Sequence, residues 1–206
     1  MPTFPVDLEA WLAPFRIVSQ TFDLGEGLSV QNRTAGGEII RAGGAARLWT
    51  GSLALAPIDN SGAAALEARL NVLLGAGAYF TIRDYRRSGS ISATLATVQA
   101  NGTVNISGGP ANGTLRDGDY LAFGYANRIA LHQIVVGGAL NGTGARNGVE
   151  VVPPIRPGWA AGVAVTIGSP KCRAVMVPGS LRIGLAADRV TEGISFDWTQ
   201  TLRENP

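Results

Sequence analysis

Apolar residues in this chain come in short runs cut by glycine, and within the runs hydrophobic and polar positions alternate as in half-buried β-strands. Residues 46–56 (ARLWTGSLALA) place Trp49, Gly51, Leu53 and Leu55 on one face of a strand. Residues 78–84 (AYFTIRD) set Phe80 and Ile82 against Tyr79, Thr81 and Arg83. Residues 128–136 (RIALHQIVV) put Ile129, Leu131, Gln133 and Val135 on one face and His132 on the other, beside Ala130 and Ile134. Further strands are expected at 120–123, at 172–178, and at 194–202, where Ile194, Phe196, Trp198 and Leu202 share a face. One stretch has a different period. In 61–74 (SGAAALEARLNVLL), Leu66, Leu70, Leu73 and Leu74 form a helical stripe, with Asn60 or Ser61 as its cap and Gly75 as its stop.

Turn chemistry locates the reversals. Asn-Gly supplies the positive φ angles of a tight hairpin turn that matches strand twist. It occurs at Asn101-Gly102, Asn112-Gly113, Asn141-Gly142 and Asn147-Gly148, with Asp117-Gly118 as a fifth candidate. All five lie between residues 101 and 148, so this segment reads as a stack of hairpins. The flanking segments hold the helix and the aromatic strands. The expected fold is therefore mainly β and discontinuous. Residues 1–92 and 169–206 form one β-sandwich-like domain with one helix. Residues 93–168 form a small, OB-like β-barrel module inserted into it.

Composition narrows the classes. Hydrophobic residues make up 46% of 206, enough to bury a core rather than remain disordered. Lys+Arg exceed Asp+Glu only by 17 to 15, and the charges are scattered, which does not fit the clustered basic face of a nucleic-acid binder. Lys171 is the single lysine; the other cations are arginines, whose planar forks suit interfaces better. No run of about 18 apolar residues marks a membrane span. The first eleven residues carry Asp7 and Glu9 and no basic residue, unlike a secretory signal, so a protein made and kept in a cytoplasm, or in a particle assembled there, is expected.

Candidate chemistry is sparse. One cysteine, Cys172, excludes an intrachain disulfide, and one histidine, His132, with that cysteine cannot make a His/Cys zinc set. Gly75-Ala76-Gly77 follows a helix, whereas a dinucleotide loop follows a strand and opens a helix. His132 reads as a strand histidine, exposed or hydrogen-bonded, rather than as a triad base. Asp117 and Asp119 bracket a glycine, and a turn accounts for them better than a glycosidase pair does. Cys172 opens an apolar strand and reads as a buried thiol, despite Lys171 and Arg173 beside it. The Asn-Gly-Thr triplets match glycosylation sequons but read as turns. Neither catalysis nor a cofactor or metal is expected.

Surface chemistry remains. Trp, Tyr and Arg dominate binding hot spots. Trp11, Phe15, Arg83, Arg86, Arg87 and Trp159 are accordingly the candidate assembly-interface residues, with core aromatics and solvated arginines as the plainer reading.

Several of these segments, taken in order, resemble distal tail and tail-tip (baseplate) proteins of long-tailed, siphophage-like bacteriophages. They are LWTGSLALAP (48–57), AALEARLNVLLG (64–75) and YFTIRDYRR (79–87), followed by GTLRDGDYLAFGY (113–125), RIALHQIV (128–135) and VEVVPPIRPG (149–158). The resemblance covers most of the chain but rests on pattern, and Tyr85 stands where the family often has proline. It implies a structural virion protein, assembled in the host cytoplasm, that forms a hexameric ring joining the tail tube to the tip or hub complex. The implied partners are further copies of the chain, the tail tube protein, the hub protein and the tape-measure protein, with no membrane and with DNA met only in passage. The near-neutral charge suits such a channel. The inserted module would face outward. The competing reading is a surface- or carbohydrate-binding β-domain.

Overall fold

The computed structural model describes residues 2–33, 39–43, 46–125 and 128–202. The chain is mainly β, with one substantial helix, Asn60–Leu73, and a single helical turn, Leu8–Trp11. It divides into two compact units, both discontinuous. One comprises 10–78 and 174–201; the other comprises 1–9, 79–173 and 202–206. Residues 1–9, 79–92, 169–173 and 202–206, grouped from the sequence with the helix-containing domain, fall in the unit that holds the barrel.

In the first unit, the strand Trp49–Leu55 pairs antiparallel with Ser195–Gln200 on one side and with Ile17–Gln20 and Asp23–Leu24 on the other. Residues 174–176 of the strand Cys172–Met176 pair with 198–200. Alternation does what the sequence pattern requires: Trp49, Leu53, Leu55, Ile194, Phe196 and Trp198 are all buried. Gln200 takes the next inward position and accepts the Trp49 backbone N–H through Oε1 (3.2 Å), so this buried amide is paired. Phe22 packs between the indoles, 5.5 Å from Trp49 and 4.8 Å from Trp198 between ring centroids. Gly51 lies directly opposite Trp198. A Cβ there would stand 2.9 Å from Trp198 Cζ2 and overlap the Thr21 carbonyl, so glycine is needed for close approach rather than for its φ.

The helix buries Ala63, Leu66, Leu70 and Leu73. Leu74, expected in the stripe, is 44% exposed because the helix has already ended at its C-cap. The N-cap is Asp59, not Asn60 or Ser61: its carboxylate accepts the Gly62 N–H (2.9 Å). Asn60 is instead used sideways. Its Nδ2 donates to the Asp188 carbonyl (2.9 Å) and its Oδ1 accepts from Thr191 (2.8 Å). These bonds hold the hairpin Leu185–Ala187/Val190–Glu192, which pairs with Ile58–Asp59 in a small three-stranded sheet. Strands Leu28–Arg33 and Ile39–Gly43 pair with each other as a separate ribbon.

In the second unit, six strands close into an antiparallel barrel in the order Val104–Ser107, Arg146–Val152, Arg128–Val136, Tyr120–Tyr125, Ala164–Gly168, Ser90–Val98. An OB fold has five strands; this barrel has one more. Leu95, Val104, Ile106, Leu121, Phe123, Ile134, Val149, Val165 and Ile167 fill its interior. Outside the barrel, Val6–Asp7 pairs in parallel with Phe80–Thr81.

Three of the four Asn-Gly pairs sit in loops, and Asp117-Gly118 makes the turn before Tyr120, with Asp119 N–H donating to the Arg116 carbonyl (3.1 Å). Asn147-Gly148 is not a turn. It lies within the strand Arg146–Val152, where the register against 104–106 slips. Gly148 takes φ +70° there, so the positive-φ preference of the pair serves a bulge rather than a reversal.

Replacing Gly51 with alanine is expected to destabilise the protein by about 2 to 3 kcal/mol, because the new methyl group cannot fit without moving a backbone carbonyl or a packed indole. Urea denaturation followed by tryptophan fluorescence measures this; an unchanged midpoint would contradict the packing described.

Candidate functional site

Trp11 and Phe15 belong to the first unit and share one cation. The Arg69 guanidinium stands 5.7 Å from the Trp11 ring centroid and 5.5 Å from that of Phe15. Trp11 Nε1 donates to the Arg69 carbonyl (3.3 Å), and Arg69 Nη1 donates back to the Trp11 carbonyl (2.6 Å). Both aromatics are half-buried in this brace.

The other four residues belong to the barrel unit. Arg83 makes a two-pronged pair with Glu9, at 2.9 and 2.7 Å, and lies over the Tyr85 ring at 5.2 Å. That guanidinium holds the Glu9 carboxyl below the usual range. Burial pushes the Tyr85 phenol up to about 12. Arg86 clasps the fully buried carboxylate of Asp84 (Nη2 to Oδ2 2.8 Å), which also accepts from the Tyr120 hydroxyl (3.2 Å). Burial alone would raise the Asp84 carboxyl, but the Arg86 side chain and N–H and the Tyr120 hydroxyl together hold it below the usual range. The Arg87 guanidinium packs against Gly118. Trp159, with Ile155, packs half-buried against the barrel core. Each of the six residues therefore has its contacts inside its own unit.

The residues weighed for chemistry are similarly occupied. Asp117 Oδ1 accepts the Gly137 N–H (2.7 Å), joining the turn to a distant segment, and Asp119 accepts the Arg116 N–H (3.2 Å) within the turn. Cys172 is fully buried, and burial pushes its thiol up to about 12. His132 is 3% exposed inside the barrel, stacked on Phe123 with ring centroids 5.6 Å apart. Its Nδ1 lies 2.6 Å from the Pro153 carbonyl and so carries the proton, leaving Nε2 buried without a donor. Among the described residues, no three of His, Cys, Asp and Glu cluster closely enough to hold a metal ion.

Two further surfaces have functional potential. A concavity of about 320 Å³ at one end of the barrel is lined by Ser88, Ser90, Thr114, Arg116 and Asp119, over Ile91 and Ile167. In the first unit, Ile17–Gln20 and Leu185–Ala187 are border strands, each paired on one side only among the described residues. Neither strand contains a charge or a proline. Val18 on one is 54% exposed, and Leu185 on the other is 72% exposed, opposite Glu192; exposed Val190 stands opposite Ala187. Neither strand contains Trp, Tyr or Arg; their sequence signal is an uncharged short stretch without the alternation that buries one face. No protein-family model and no curated protein sequence matches this chain.

Burial lowers His132 to about 4, with Arg156 opposing its charge as well, while the Pro153 carbonyl acts in the other direction. The unfolded chain, with an ordinary histidine near 6.5, therefore takes up its proton first as the pH falls. This contribution is fully present above pH 6.5 and is lost progressively between about 6.5 and 4, by about 3 kcal/mol in all. The stability difference between the native chain and His132→Phe, measured by urea titration, is expected to move by that amount over this window. A pH-independent difference would refute the buried, neutral imidazole.

Proposed function

We propose that this chain is a structural, non-enzymatic phage tail protein that assembles with copies of itself into a ring, hexameric by resemblance, between the tail tube and the tip or hub complex. The observation that carries this reading is the pair of uncharged border strands in the 10–78/174–201 unit, Ile17–Gln20 and Leu185–Ala187, with Val18 and Leu185 exposed. Soluble monomers usually blunt such edges with charge, proline or a bulge. Here both strands are short, at four and three residues, and Ile17–Gln20 has a bulge between Ile17 and Ser19, but neither carries a charge or a proline. Two different edges on one protomer suit a heterologous contact, the type that closes into rings. The mainly β framework with one helix supports the resemblance to tail proteins. The intramolecular pairing of Arg83 and Arg86 leaves the edges, rather than those arginines, as the assembly surface. The tube, hub and tape-measure proteins are then the neighbours, in a virion tail built in the host cytoplasm.

Light scattering on the purified chain at high concentration is expected to show a closed oligomer. Val18→Lys and Leu185→Lys should each abolish it. Because each variant retains the edge that the other has lost, their mixture should give dimers and no rings. A strictly monomeric wild type, or variants that assemble normally, would refute the reading.

A second reading, a carbohydrate- or surface-binding β-domain, is favoured by the hydroxyl-lined concavity with Arg116 and Asp119. Glycan-array binding that is lost in Asp119→Asn, in a monomeric protein, would favour it over the ring.

A further inference from the structure

The same dipeptide, Asn-Gly, occurs four times in the barrel unit, and the four copies are held very differently. At three of them the glycine N–H is already donating. Gly102 N–H donates to the Gln99 carbonyl (2.9 Å), Gly113 N–H to the Pro110 carbonyl (3.0 Å), and Gly148 N–H to Asn105 Oδ1 (2.9 Å). Gly142 N–H has no partner among the described residues.

The asparagine side chains differ as well. Asn141 Oδ1 accepts three hydrogen bonds: from Thr143 N–H (3.0 Å), Thr143 Oγ1 (2.8 Å) and Ala145 N–H (2.8 Å). Two of these donors are backbone N–H groups, so the oxygen position is fixed by chemistry. Asn101 Oδ1 accepts two, from Thr103 N–H (3.1 Å) and Thr103 Oγ1 (2.8 Å).

We propose that Asn141 is a site of spontaneous, structure-promoted deamidation. The Gly142 backbone nitrogen loses its proton to solvent base and attacks Asn141 Cγ, forming a C–N bond. Negative charge develops on Oδ1, where three preorganised donors stabilise it as in an oxyanion hole. The turn formed by Oδ1 and the Thr143 N–H mimics a backbone turn and holds the side-chain carbonyl in one orientation. The bond from Cγ to the side-chain nitrogen then breaks, and ammonia leaves with a proton from water. Water opens the five-membered imide at either carbonyl, giving aspartate or isoaspartate. The net change is one water consumed and one ammonia released, with no oxidation. At the other three sites the nucleophilic nitrogen is turned toward an acceptor, and a hydrogen bond must break before it can attack.

Asn141 is exposed, so water and base reach it. The product places a new negative charge in the loop, and the isoaspartyl form lengthens its backbone. That loop is closed by Asn141 N–H to the Ala145 carbonyl (2.9 Å) and braced by Gly109 N–H to the Gly144 carbonyl (2.9 Å). The modification therefore alters the outer surface of the barrel over time without any enzyme.

The test is peptide mapping by mass spectrometry of the full chain held at mildly alkaline pH. The Asn141 peptide is expected to gain about one dalton at least about tenfold faster than the peptides holding Asn101, Asn112 and Asn147. In strong denaturant the four rates should converge, since the dipeptide is the same. Gly142→Ala, which meets no atom within 4 Å, should suppress the reaction at 141, and Thr143→Val, which removes one donor, should slow it several-fold. The proposal is overturned if another Asn-Gly leads in the native chain, if the ranking persists in denaturant, or if Gly142→Ala leaves the rate unchanged.

Discussion

Every backbone N–H and C=O along a strand needs a partner, and the two units meet that requirement in opposite ways. The six strands between Ser90 and Gly168 close on one another, so no lateral edge remains in the barrel. Closure forces alternate residues inward into a space that side chains alone must fill. Leu95, Val104, Phe123, Ile134 and Val165 fill it, and His132, which follows them inside, is neutral, with Nδ1 bonded to the Pro153 carbonyl. The other unit does not close. Its sheet ends at Ile17–Gln20 and its small hairpin sheet at Leu185–Ala187, each paired on one side only among the described residues. The proposed assembly rests on this contrast between a closed barrel and a unit whose sheets stay open.

Charge follows a local logic. Arg83 is held by Glu9, Arg86 by Asp84, and Lys171 by Asp7 at 2.6 Å. Arg69 is placed over two aromatic rings. These partners lie within the same unit as the cation, so the arginines act as clasps on turns and termini. The pairs on exposed side chains contribute little stability each. Their effect is to fix conformation, most clearly at Asp84, whose buried carboxylate orients Arg86 and receives Tyr120.

The repeated Asn-Gly pairs separate local preference from tertiary use. The dipeptide takes positive φ at Gly102, at Asn112 and at Gly148, but at neither residue of Asn141-Gly142, where Gly144 takes it instead. Yet Gly148 spends the same freedom on a bulge, because the barrel needs one extra residue where the strand Arg146–Val152 faces Val104–Ser107. Nothing in the dipeptide distinguishes these outcomes; the register of the neighbouring strand does. The same holds for reactivity, which depends on where the glycine N–H points.

Periodicity by itself determined the mainly β class, the helix with Leu66, Leu70 and Leu73 inward, and the inward faces of Trp49–Leu55 and Ser195–Gln200, because burial of alternate or every third-to-fourth side chain acts within one element. The scarcity of His and Cys narrowed the chemistry in the same way, since composition bounds the available ligands and nucleophiles. The tertiary structure decided the six-strand closure, the cap at Asp59, the exposure of Leu74 and the limits of the two units. It also decided that Trp11, Phe15, Arg83, Arg86 and Trp159 have intramolecular partners while Val18 and Leu185 remain exposed. Each of these depends on what stands opposite a residue, and strands far apart in sequence supply that neighbour: Gly51 meets Trp198, and Trp49 meets Gln200.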